Sequence, residues 1–395
     1  MDKSILIAGA GANQIGIFQK AREAGIVTIA SDGNKDAVGF AYADHHETIN
    51  ILDEDALAEL ARRFKVDGIY PAAELSVEAV ARAAESIGLP GVPPEVATRV
   101  RNKAAMRRAL DTAGVPNPAY REVYTLEEAK AAAGAIGFPC IIKPSDANSS
   151  KGVQQLSGAE KLEDAFTLAI QYSFSDSALI EEYMPGEEFC VDGLVYEGEY
   201  IPGGITGKEV SPLPYRFDKG IFMPPNKSED ECDALDNFAA KALEAMGFTD
   251  GTFHLEIIVT PAGPRIVEIA GRPGGGRIPT DLIPMAYGMD FMGDSIRIAL
   301  GEAPKSRRQF ERGVALYWFE AEPGVVSEIV GIEKAEALSG VKEIVFHCRP
   351  DDTLHPIIDC VTRDSVGYVL TEGDTAADAV ESANRARSVC KVITS

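Results

Sequence analysis

Over the first ninety residues, short apolar runs at 5–8, 27–30 and 68–70 alternate with stretches of helical periodicity at 14–24, 54–64 and 76–87. That rhythm predicts βαβ units and a small parallel sheet. From 102 a helix is expected to about 113, where Gly114, Val115 and Pro116 stop it, and Thr125 caps another through 133. Strands at 139–143, 153–156 and 178–182 around a helix at 161–172 predict a small α+β lid. Helices at 233–246, 291–300 and 375–388 follow, the last within a terminal α+β unit. The expected organisation is a parallel-sheet domain at 1–97, a linking helix at 98–118, the lid at 119–188, an antiparallel-sheet core at 189–311 and a C-terminal α+β domain at 312–395.

Within the core, two β-rich runs flank the Pro261, Ala262, Gly263 turn and read as an antiparallel hairpin. Alternation puts Phe253, Leu255, Ile257, Val259, Val267 and Ile269 on one face, and Thr252, His254, Glu256 and Glu268 on the other. Centred on Ala262, the hairpin sets Glu256 directly opposite Glu268. Their Cβ atoms then stand roughly 5 Å apart, where like charges repel unless a cation bridges them or one is protonated. A hard divalent ion meets that need, and Mg²⁺ takes one or two carboxylates and fills its shell with water and nucleotide phosphates. The alternative is a solvated hairpin with two unrelated surface acids.

The net charge is −23, from 38 basic and 61 acidic residues. So acidic a chain disfavours nucleic acid or an anionic membrane as partner and points to small molecules. The six cysteines form no C-x-x-C pair and lie mostly in apolar runs, which predicts buried free thiols and shows no structural zinc motif. No signal segment or apolar stretch of membrane-spanning length is present, so a cytoplasmic location is expected. Symmetric pairs are the commonest homo-oligomers, which makes a homodimer the default expectation.

Gly9, Gly11 and Gly16 follow the first strand and Asp32 ends the second, but the third glycine is displaced from the dinucleotide-binding spacing, so these read as tight-turn glycines. No G-x-x-x-x-G-K-[ST] occurs, which excludes that phosphate loop as a motif. Instead Lys143 ends an apolar strand just before Pro144. Ser149, Ser150, Lys151, Gly152 and Val153 then form a small-residue loop whose amides could cradle phosphate. An apolar strand ending in Glu181 and Glu182 leads through Tyr183, Met184 and a Pro-Gly turn to Glu188. Glu268 is followed closely by Arg272 and a run of three glycines.

In that order, from Asn102 and Lys103 through Gly276, these parts resemble the ATP-grasp superfamily over roughly 200 residues. The Glu268 to Gly276 segment resembles the carboxylate-amine ligase branch that includes the L-amino-acid ligases. The resemblance implies an ATP-grasp fold of α/β and α+β domains, with a Rossmann-like N-terminal sheet, and ATP and Mg²⁺ (or Mn²⁺) as cofactors. It implies that Lys103 and Lys143 contact ATP phosphates, that loop 149–153 with Lys151 closes over them, and that Glu181, Glu182, Tyr183 and Met184 recognise adenine. Glu188 would bind ribose, Glu256 and Glu268 the metal, and Arg272 the substrate and its developing charge. Many members carry Asn at the position of Ala270, so a third protein ligand is in doubt here. Expected partners are a small carboxylate and an amine, both plausible as amino acids, joined through an acyl phosphate. Glu74, Tyr215, Phe217, Gly274 and Gly275 are candidate substrate residues: Glu74 ends a strand, Tyr215 and Phe217 lie in a proline-broken loop with Arg216, and the glycine amides could supply donors. His254, on the acid face, is read as a structural partner behind the metal ligands, with orienting Glu256 or a water as the alternative. Another acid or acceptor (bicarbonate, formate, a thiol), or nucleotide binding without turnover, stays open at this point.

Overall fold

A computed structural model describes residues 3–212 and 214–395; Leu213, in the proline-broken loop, and the first two residues lie outside it. The N-terminal sheet is parallel, with strands ordered His45–Thr48, Val27–Asp32, Ser4–Ala8 and Gly68–Pro71. The short polar edge strand His45–Thr48 carries no apolar alternation and was not expected from the sequence. At the strand carboxyl ends, Asp32 Oδ2 accepts from the Ala10 amide at 2.8 Å and its Oδ1 from the Asn34 amide at 2.8 Å. That carboxylate fastens the glycine turn, which removes the residue a dinucleotide ribose would need.

The lid is an antiparallel sheet ordered Tyr120–Val123, Ala178–Glu182, Cys140–Pro144 and Gln154–Leu156. Helix Leu126–Ile136 packs on it, its first turn closed by reciprocal hydrogen bonds between Thr125 and Glu128. The largest sheet runs Gly263–Ala270, Gly251–Thr260, Glu187–Tyr196, Glu199–Val210, Asp218–Met223, Gly313–Trp318, Gly367–Gly373 and Val341–Phe346. Strands from beyond residue 312 therefore extend the core sheet. Helix Glu229–Met246 covers one face, setting Leu235, Phe238, Leu243 and Met246 against Phe189, Val191, Phe253, Leu255 and Ile257. Each such side chain contributes about 1.5–3 kcal/mol when fully buried.

The hairpin has the expected pairing at its centre, Glu256 opposite Glu268, with Leu255 opposite Ile269. Nearer the turn it departs from strict alternation. Ile257 pairs with Ile266, not Val267, so one extra residue bulges from the second strand. Ile266 then enters the core at 0% exposure and Val267 turns to the opposite face, correcting its expected place among the core residues. The carbonyls of Ile266 and Val267 accept from Arg107 at 3.1 and 2.7 Å, which fixes the bulge from the linking helix Lys103–Thr112.

Candidate active site

The uncovered face of the core sheet, the lid and the linking helix enclose a cavity of about 310 Å³. Strand register writes its floor. One row across the strands is Glu268, Glu256, Cys190 and Thr206; the next is Ala270, His254, Asp192 and Gly204. All of these project to the same side because residues two apart on a strand share a face.

Each acid of the first row has a buried lysine. Lys103 Nζ lies 2.9 Å from Glu268 Oε1 and also donates to the Ala147 carbonyl at 2.6 Å; Asn102 caps its helix through the Ala105 amide. Lys208 Nζ lies 3.1 Å from Glu256 Oε1, 3.0 Å from Asp218 Oδ1 and 3.9 Å from Glu188 Oε2. Burial opposes the Glu256 charge, but Lys208 and His254 outweigh it and hold the carboxyl far below its ordinary range. Burial also opposes the Lys208 charge, which Asp218 and Glu256 restore, so the ammonium persists well above its ordinary value.

Lys143 Nζ sits 2.8 Å from Glu181 Oε2, and Arg107 Nε 2.9 Å from Glu181 Oε1. Burial first, then the neighbouring Arg107 and Lys103 charges, bring Lys143 down to about 8 despite Glu181. Glu181 itself is pulled to about 2, because Arg107 and Lys143 together overcome the penalty of burial. Its side chain is thus committed to these two cations, and only its backbone and that of Glu182 to Met184 remain for a purine edge. Glu188 pairs with Arg216.

Arg272 Nε lies 2.5 Å from Glu74 Oε2, without the alignment of a hydrogen bond, and Arg101 Nη1 lies 3.5 Å from Glu74 Oε1. Arg272 lines the cavity; Glu74 stands behind it, so it orients that guanidinium rather than facing the cavity. At Gly274 a Cβ would stand 2.5 Å from Asp192 Oδ1 and 2.7 Å from His254 Nδ1, so only glycine lets its amide reach Asp192, at 3.2 Å. Gly275 lines both this cavity and an adjoining one of about 810 Å³.

The loop residues Ser149, Ser150, Lys151 and Val153 line the first cavity, while Gly152 supports the turn with φ of 71°. The Cys360 amide donates to the Ser149 carbonyl at 3.4 Å, joining the loop to the short helix Cys360–Asp364. From that helix Arg363 stacks 3.5 Å over the Trp318 ring and donates to the Asp218 carbonyl at 3.1 Å. Tyr215 and Phe217 do not line the cavity. Their backbone is tied to Ser211, and the intervening Arg216 with Asp218 faces inward instead. Lys208, Asp218, Arg107 and Arg363 were not singled out from the sequence. For Lys208 the available signal was a lysine continuing the inward alternation of its strand.

Two opposed acids, buried lysines from three different elements and a main-chain hinge are the arrangement expected of a nucleotide site of the ATP-grasp class. The family models agree: an ATP-grasp domain matches residues 136–281, an ATP-grasp N-terminal domain 18–91 and an L-amino acid ligase C-terminal domain 2 residues 317–395. By these matches the chain carries ATP-grasp domains over residues 18–91 and 136–281. Among similar proteins, alanine–anticapsin ligase of Bacillus subtilis is 28% identical over 67% of this chain and 60% of its own length. D-alanine–D-alanine ligase of Gloeobacter violaceus is 33% identical over 48% of this chain and 65% of its own length. The chain thus spans less than two thirds of these two relatives. The L-amino acid ligase structure from Bacillus licheniformis shares the fold with a TM-score of 0.88 at 20% identity, over 100% of this chain and 99% of that one.

Proposed function

We propose that the protein is an ATP-dependent carboxylate-amine ligase that joins two small substrates, amino acids on the leading reading, through an acyl phosphate. The observation that carries this is the facing pair Glu256 and Glu268, each neutralised by its own buried lysine, beside Arg272. Mg²⁺ on the two carboxylates would neutralise charge between β- and γ-phosphates, and two hard oxygen donors with the remaining positions left to water and phosphate suit that ion. Among the described residues, no helix is long and apolar enough to cross a membrane.

The chain's own groups then divide the work. Lys103, Lys143 and Lys208 hold the phosphates in line, which is the main protein contribution in phosphoryl transfer. A substrate carboxylate oxygen attacks the γ-phosphorus and ADP leaves. The amine nitrogen then attacks the acyl carbon, and phosphate departs as the amide forms. Arg272, set by Glu74, presents a fixed cationic fork to the carboxylate and later to the oxyanion. The loop 149–153, anchored to Cys360, keeps water from the acyl phosphate. The adjoining cavity, which shares Asn13, Gly275, Gly276, Trp318 and Asp364 with the first, gives the second substrate room beside the reacting carbonyl.

The test is Mg²⁺-dependent phosphate release from ATP across amino acids and small acids, singly and in pairs, with Glu268→Gln as the blank. Release that needs two substrates and vanishes in the blank supports the ligase and names its acid and amine. ATP binding with no substrate-dependent release sinks it. Release with an acid alone, or with a thiol acceptor, redirects it to another ATP-grasp chemistry.

A further inference from the structure

We propose that the core sheet carries a second metal site, suited to a borderline divalent ion of the zinc type, formed by Cys190, His254 and Glu256. One ligand atom of each lies within 4.8 Å of the other two. Register explains the cluster: Cys190 is directly across from Glu256, and His254 is two residues before Glu256 on the same face. None of this is visible as a sequence motif, because the three donors come from two strands and the cysteine stands alone in its own.

Asp192 supplies what a chance cluster lacks. It is fully buried and paired with His254 across the strands, and its Oδ1 lies 2.9 Å from His254 Nδ1. A carboxylate only accepts, so that contact places a proton on Nδ1 and leaves Nε2, 3.7 Å from Glu256 Oε1, facing the cluster, where an ion would take the place of the Nε2 proton that now faces Glu256. A carboxylate holding the far nitrogen of a ligating imidazole is the usual support of a metal-bound histidine. The Gly274 amide donates to the same Asp192 oxygen and locks its orientation.

A thiolate, an imidazole and a carboxylate with a fourth position open form a zinc-type donor set, whereas Mg²⁺ takes oxygen alone. Glu256 belongs to both arrangements, and Lys208 at 3.1 Å is the cation already on it. A zinc-type ion here therefore withdraws Glu256 from its work with the nucleotide and acts as an inhibitor.

Co²⁺ is the probe, added to the nucleotide-free protein and followed through thiolate-to-cobalt charge transfer in the near ultraviolet and the intense visible bands of four-coordinate cobalt. The expected result is a spectrum that Zn²⁺ abolishes, that is lost in Cys190→Ser and His254→Asn, and that survives in Cys360→Ser, the other thiol lining this cavity. Asp192→Asn should weaken Co²⁺ on the order of 10–100-fold. Absence of the charge-transfer band in the wild type, its persistence in Cys190→Ser, or its loss only in Cys360→Ser overturns the site. Should Cys190→Ser fail to fold, alkylation of the wild type decides: Zn²⁺ must slow labelling of Cys190 but not of Cys232, and equal slowing or none overturns the site. Neither readout uses ATP or substrate, so their failure leaves the ligase reading standing, and failure of the phosphate-release assay leaves the metal site standing.

Discussion

Replacing Arg107 by Met would disturb the nucleotide site from a residue that does not line it. Arg107 is fully buried. Its guanidinium meets both oxygens of Glu181, at 2.9 and 3.3 Å, and donates to the two carbonyls of the Val267 bulge at 3.1 and 2.7 Å. Methionine fills the stem and supplies none of these donors. Breaking a buried ion pair costs roughly 3–5 kcal/mol when the remaining charge is left alone. Lys143, 2.8 Å from Glu181, lowers that cost, while each stranded carbonyl adds about 1 kcal/mol or more. The expected loss is about 4 kcal/mol, read as a lower urea midpoint at unchanged slope.

A second readout separates this account from a general packing defect. Lys143 is held near 8 partly by the Arg107 charge. In the proposed function its protonated form binds phosphate, and on that reading kcat/KM for ATP in the wild type should fall as pH rises through about 8, since that ratio reports the free enzyme. Without Arg107 the fall should move to higher pH. Stability carries the matching sign: a lysine with its folded pKa below the ordinary 10.5 lets stability rise with pH between about 8 and 10.5, and the variant should gain less over that window. A variant within about 1 kcal/mol of the wild type whose pH break has not moved refutes the reasoning.

Gly274→Ala should destabilise the protein by about 1–3 kcal/mol, because its Cβ would stand 2.5 Å from Asp192 Oδ1; an unchanged melting temperature would show that the carboxylate yields freely. Glu74→Gln should raise KM for the carboxylate substrate about tenfold, with a smaller change in kcat, as Arg272 loses its anchor; an unchanged KM would remove Arg272 from substrate binding. On acidification, Glu181, at about 2 against an ordinary 4.5, contributes stability that is fully present above 4.5 and is lost as pH falls toward 2. That loss is on the order of 3 kcal/mol and should vanish from acid titrations of Glu181→Gln.

The hairpin was legible because a Pro-Gly turn separates two alternating runs, and centring it on Ala262 sets Glu256 against Glu268; the turn itself pairs Thr260 with Gly263, a register that would bring Val267 opposite Glu256, and the bulge restores the pairing of the two acids. The bulge was not: one inserted residue changes the face of Val267 without changing the composition of the strand. Arg107 and Arg108 show a similar limit in a helix. They are the same residue type side by side, yet Arg108 is exposed beside Glu122 while Arg107 is buried on the stripe that holds Met106 and Leu110. Helical periodicity marked that stripe, but nothing local names a partner 74 residues away. Tyr215 and Phe217 failed for the opposite reason, since aromatic content in a loop says nothing about which of three neighbours turns inward.

Ala270 bears on how a hard ion is held. It stands beside Glu268 in the row of His254 and Asp192, and it offers no oxygen where Asn would. The sheet therefore supplies two carboxylates, and each already has a lysine within about 3 Å, at 2.9 Å for Glu268 and 3.1 Å for Glu256. An ion arriving alone would have to displace both ammonium groups with only two protein ligands in return, whereas one carried on a nucleotide brings phosphate oxygens for its own shell and for the displaced lysines. Free Mg²⁺ should accordingly bind weakly to the nucleotide-free protein, and the metal should enter as the nucleotide complex. The His254 nitrogen and Cys190 sulfur beside Glu256 in the same rows favour the opposite kind of ion, one that needs no nucleotide, and both kinds meet at Glu256.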